Sequence, residues 1–154
     1  MDIGVNEGER SKVAGELAKF LADTYTLYMK THSFHWNVTG PMFKSLHDLF
    51  EEQYTELWKA TDEIAERIRS LGVYAPTGYS EFAQLSSLSE AKGVPAAKDM
   101  IKHLVSDHET VAQSAHKTLK VAAEADDEVT QDMMIRRMET HQQAAWMLRS
   151  LIED

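Results

Sequence analysis

The sequence predicts an all-α protein of four long helices, and three observations predict it. Helix breakers are segregated: residues 42–71 and 96–154 contain neither Pro nor Gly, so two long stretches are free to run as uninterrupted helix. Between the breakers, apolar residues recur with a helical period in four separate stripes. Strand-like alternation of useful length is absent from the sequence.

Taken in chain order, the first stripe is Val13, Leu17, Phe20, Leu21, Thr24, Leu27 and Tyr28, and a Gly40-Pro41 corner stops it. The second is Leu46, Leu49, Phe50, Tyr54, Leu57, Ile64, Ile68 and Leu71, followed by Gly72, which suits the left-handed position after a helix. Residues 73–95 hold Pro76, Pro95, Gly78, Gly93 and several Ser, with room for a short helix over 80–87. Met100, Ile101, Leu104, Val111, Ala115, Leu119 and Ala122 form the third stripe. Asp126 and Asp127 suit the start of the last helix, whose stripe is Val129, Met133, Met134, Met138, Ala145, Leu148 and Leu151. A long link between the second and third helices of a bundle is a crossover. The prediction is therefore a ferritin-like four-helix bundle with a short extra helix in that crossover, and 154 residues suit one domain, 1–154.

Composition excludes several functions. Without Cys there is no disulfide framework, thiolate metal site or cysteine nucleophile. The formal net charge of −9 opposes nucleic-acid binding unless a local basic patch supplies it. No apolar run reaches the roughly 18 residues of a membrane span, and the start, MDIGVNEGERSK, lacks the apolar region of a secretory signal. A soluble cytoplasmic protein is expected.

Metal-binding potential centres on the second helix. His47 and Glu51 are four residues apart, as are Asp62 and Glu66, so each pair shares a helix face close enough to hold one ion. Imidazole with carboxylate suits Fe(II), Mn or Zn. Asp62 falls only about 20° from Glu51 around the helix but about 16 Å along it, so one helix cannot bring both pairs to one metal. Two copies crossing antiparallel near residues 56–57 can, and a two-fold interface does so twice. The geometry predicts two identical metal sites in a dimer interface. A di-iron site within one bundle would want Glu-x-x-His on two helices; this chain has none, nor the zinc signature His-Glu-x-x-His. Spacing alone also fits a solvated acidic face.

The run His35-Trp36-Asn37-Val38 with Gly40, then His47, then Asp62-x-x-x-Glu66-Arg67, resembles the Dps family of mini-ferritins. The resemblance covers the whole length and is strongest over residues 32–72. It implies four-helix subunits in a hollow dodecameric cage that oxidises Fe(II), preferably with hydrogen peroxide rather than dioxygen, and stores the ferric product. It places a ferroxidase site between two-fold-related subunits, with His35, His47 and Glu51 from one chain and Asp62 and Glu66 from the other. An Asp is commoner in the family at the position of Glu51. Trp36 matches the family tryptophan beside the site, where it supplies an electron or simply packs.

Charge is consistent with iron handling, because an acidic interior concentrates Fe(II). Glu52, Glu56 and Glu63 share a face of the second helix; mineral nucleation and a plain solvated face explain them equally. Glu124, Asp126, Asp127, Glu128 and Asp132 cluster where the resemblance implies pores admitting iron, while helix capping is the simpler role for Asp126 or Asp127. His103 and Asp107 are spaced as a metal pair would be, and His108, His116 and His141 have no comparable partner in the sequence. Neither terminus is basic, which argues against DNA binding through a tail. A metal-sequestering or purely structural bundle is the alternative function.

Overall fold

The computed structural model describes residues 1–153. Its elements are α1 (Glu7–Asn37), α2 (Phe43–Ser70), α3 (Tyr79–Leu85), α4 (Ala97–Glu124) and α5 (Glu128–Arg149). Among the described residues there is no strand, and no helix is long and apolar enough to cross a membrane. The four long helices and the short one in the crossover are those predicted. α1 starts ahead of its apolar stripe: the Asn6 side chain accepts from the Glu9 N–H at 3.0 Å, and neither Gly8 nor Gly15 interrupts the helix.

Two tight hairpins form the bundle. α1 and α2 join through 38–42, where Gly40 takes a positive φ of 105°. α4 and α5 join through 125–127. There Asp126 adopts φ 54° and Asp127 caps α5, accepting from the Thr130 N–H at 3.0 Å and the Thr130 hydroxyl at 2.6 Å. Capping thus falls to Asp127 alone.

The crossover is fastened to α1 by one buried carboxylate. Asp23 accepts from the Ser87 N–H at 2.6 Å and from the hydroxyls of Ser86 at 3.0 Å and Ser87 at 2.9 Å. Beside it the Tyr25 and Phe82 rings stack at 4.8 Å, seating α3 on α1.

The core is apolar where α2 contributes, through Leu46, Phe50, Leu57, Ile64 and Ile68. α5 differs from expectation. Val129 is 60% exposed and Leu151 39%, whereas Thr130, Arg137 and His141 point inward with Met133, Met134, Ala145 and Leu148. Polar side chains are tolerated there because most of their hydrogen bonds are met inside. α1 and α4 are joined by a further buried pair, with Lys30 Nζ 2.6 Å from Asp107 Oδ2. Burial nevertheless raises the Asp107 carboxyl above its ordinary value, against the pull of Lys30. Asp107 therefore serves α1 rather than a metal pair with the exposed His103.

Candidate metal centre

The α1–α2 hairpin turns about Pro41, which lies midway in sequence between His35 and His47, so the two imidazoles meet. Their rings stack with centroids 3.8 Å apart and 18° between planes. His35 Nδ1 lies 2.7 Å from the His47 carbonyl oxygen, and His47 Nδ1 lies 2.8 Å from the His35 carbonyl oxygen. A carbonyl only accepts, so both Nδ1 atoms carry protons. In the neutral rings the lone pairs therefore sit on Nε2. Metal-bound histidines are commonly oriented in this way, the second nitrogen donating to a backbone carbonyl.

Around this clasp lies a ring cluster. Tyr54 is edge-on to His35 at 5.1 Å and stacks on His32 at 4.0 Å. Tyr28 contacts Tyr54 at 6.2 Å and Trp58 at 5.3 Å, and its hydroxyl is 3.1 Å from His32 Nδ1. Burial raises the Tyr28 phenol above its ordinary value. Burial and then the adjacent His35 hold the His32 imidazole below its ordinary value. Trp36 is 63% exposed, with its ring 4.2 Å from that of His32.

The other sequence candidates lie elsewhere on α2. Glu51, one turn beyond His47, is exposed. Asp62 and Glu66 are also exposed, and Asp62 borders an open groove of about 720 Å³ with Trp58, Tyr25, Pro76 and Phe82. The structure brings His35 and His47 together. It leaves Asp62 and Glu66 apart from them, and among the described residues no three His, Asp or Glu side chains of one chain gather as a metal cage.

Several acidic candidates already have partners. Glu56 is bound in bidentate fashion by the buried Arg137, its Oε2 lying 3.1 Å from Nη2, and Glu63 is 4.0 Å from Arg136. Asp127 receives Arg67 Nη2 at 2.7 Å, while Arg67 Nε donates to the Thr130 hydroxyl at 3.0 Å. The arginine after Glu66 thus ties α2 to the start of α5.

Sequence reasoning missed a second histidine pair. His108 and His141 are buried and their Nδ1 atoms are 2.9 Å apart. Arg137 Nη2 donates to His141 Nε2 at 3.1 Å, so His141 Nδ1 is the donor to His108 and the His108 proton sits on Nε2. Burial lowers His108 to about 3 and holds His141 well below its ordinary value. The signal was weak: the two residues are 33 apart, and only the inward face of α5 aligns them.

Comparisons with known proteins agree on the fold. The family model for a ferritin-like domain matches residues 15–154. The chain is 42% identical to a low temperature-induced protein of Nostoc sp., over 99% of this chain and 87% of that protein. It is 38% identical to DNA protection during starvation protein 2 of Bacillus anthracis, over 88% of this chain and 93% of the relative. A Dps protein of Vibrio cholerae, described as a member of a broad superfamily of ferritin-like diiron-carboxylate proteins, superposes with a TM-score of 0.94 at 29% identity, covering 98% of this chain and 95% of that one. With its five helices, its crossover and these relatives together, the chain belongs to the Dps family of ferritin-like proteins.

Proposed function

We propose that this protein is a ferroxidase that stores iron: it oxidises Fe(II) at a site shared between two copies of the chain and holds the ferric product within an assembled cage. The observation that carries the reading is the His35–His47 clasp, in which two backbone carbonyls fix the imidazole tautomers and leave both Nε2 lone pairs free. His35, His47 and Glu51 of one chain supply one half of the ligand set. Asp62 and Glu66 of a second copy supply the other, across a two-fold axis near residues 56–57. In this reading the second copy packs over the groove that Asp62 and Trp58 border.

Iron here is substrate and cargo. Neutral imidazole and carboxylate match Fe(II) and leave coordination positions for an oxidant. Two Fe(II) supply the two electrons that convert one hydrogen peroxide into water, so no hydroxyl radical is released; dioxygen is the slower oxidant. The carboxylates Glu51 and Glu52 are exposed on α2, whereas Glu56 and Glu63 are drawn to arginines and are weaker candidates for nucleating mineral.

The test is anaerobic Fe(II) loading, stopped-flow absorbance after adding hydrogen peroxide, and light scattering, with an Asp62→Ala/Glu66→Ala variant alongside. Fast ferric absorbance in a large assembly, lost in the variant, is expected. Binding without turnover would favour metal sequestration. A small species with no iron-dependent absorbance, unchanged by the substitutions, would favour a structural bundle.

A further inference from the structure

We propose that Tyr28 is a redox-active residue of this site, giving up an electron toward the iron at His35 while its phenolic proton passes to His32. The proposal rests on the ferroxidase reading above. Two independent features of the geometry carry it. The Tyr28 hydroxyl is 3.1 Å from His32 Nδ1, and the pair sits one helical turn apart on α1. The ring of Tyr28 is also linked to the clasp through Tyr54, at 6.2 Å and then 5.1 Å. Among the described residues Tyr28 is the tyrosine whose hydroxyl meets a nitrogen base.

Chemistry makes the hydrogen bond matter. Removing an electron from a neutral phenol makes it strongly acidic, so oxidation is easy only where a positioned base takes the proton at once. A neutral His32 with its proton on Nε2 offers Nδ1 for that purpose. The device solves a problem of electron count. Reductive cleavage of the O–O bond of hydrogen peroxide to water takes two electrons, and a site holding a single Fe(II) supplies one. Tyr28 supplies the second. Fe(II), neutral Tyr28, neutral His32, one hydrogen peroxide and two protons become Fe(III), the Tyr28 phenoxyl radical, protonated His32 and two waters. A later Fe(II) then reduces the phenoxyl, which recovers its proton from His32 and leaves Fe(III). The site thus completes a two-electron reduction with its iron positions half filled.

The experiment mixes the whole assembled protein, carrying substoichiometric Fe(II), with hydrogen peroxide. Ferric absorbance is followed by stopped flow and radicals by freeze-quench high-field electron paramagnetic resonance. The unaltered protein is expected to give a phenoxyl spectrum with the g-shift of a hydrogen-bonded oxygen, a readout needing no variant. Tyr28→Phe removes that signal. His32→Gln slows its formation by about 100-fold and alters its g-values, which a merely structural role would not do. Ferric absorbance with an undiminished phenoxyl signal in Tyr28→Phe overturns the relay alone. So does ferric absorbance in the unaltered protein with no phenoxyl signal. Absence of ferric absorbance in the unaltered protein overturns the ferroxidase reading and the relay with it.

Discussion

The molecule holds two histidine pairs with opposite fates. His35 and His47 meet at an open hairpin, and each gives its Nδ1 proton to a backbone carbonyl, so the outward nitrogens are unsaturated. His108 and His141 meet inside the bundle, where His141 Nδ1 donates to His108 Nδ1 and His141 Nε2 accepts from Arg137, leaving His108 Nε2 buried without a partner among the described residues. The first pair has basicity to offer a metal. The second has none left, because one lone pair is taken by Arg137 and the other by the neighbouring ring. Whether a histidine is a ligand is decided by what occupies its second nitrogen and by what it faces, not by the residue type.

The difference can be broken from either side. Truncating the inner pair has the larger energetic effect. His141→Ala opens a cavity beside Phe20 and strands His108 and Arg137, lowering stability by about 3–4 kcal/mol in urea denaturation. Iron oxidation per folded protein should persist. His47→Ala should do the reverse: peroxide-linked oxidation falls by about 100-fold, while the urea midpoint moves little. If His141→Ala abolished oxidation in protein that still assembles, the separation of roles would fail.

Acid sharpens the contrast. His108 is held near 3 in the fold against about 6.5 in an unfolded chain, and His141 is lowered too. Below about pH 6.5 the unfolded chain binds protons that the folded core refuses, so stability drops as pH falls toward 3, by up to about 1.4 kcal/mol per pH unit per histidine. Urea midpoints at pH 7 and pH 5 should therefore separate more in the native protein than in a His108→Gln/His141→Gln variant. Equal separations would show that the inner pair does not contribute. The smallest change belongs to the outer pair. Glu51→Asp keeps the charge and shortens the reach, and iron affinity by anaerobic titration should shift by about threefold or less.

Legibility follows the same division. α2 could be read from its apolar stripe because its buried face is almost wholly apolar, from Leu46 and Phe50 to Ile64 and Ile68. α5 is equally readable as a helix, but only part of its buried face is: Met133, Met134, Ala145 and Leu148 point inward as expected, while Thr130, Arg137 and His141 also take core positions and Val129 faces out. A hydropathy pattern scores an inward Arg or His as surface, and the bonds that permit its burial come from helices distant in sequence. The His35–His47 meeting follows from their symmetric placement about the corner, whereas the carbonyl clasp depends on where the backbone carbonyls of the two facing helices point, which residue types do not encode. Arg67 entered as part of a motif, yet its observed contacts are to Asp127 and Thr130.

Asp23 has a consequence for chain length. Its bonds to Ser86 and Ser87 fix the crossover to α1 at one point, so the path from Leu71 to Ser87 has a set span. Residues 89–94 lie beyond that anchor, and most are exposed. Added residues are absorbed there at the cost of loop entropy alone, which grows slowly with length. The same addition within α3 or at Ser86 would have to displace that helix or release Asp23 into the interior without its donors. Lengthened descendants of this chain should therefore carry their extra residues after Leu88 rather than between Tyr79 and Ser87.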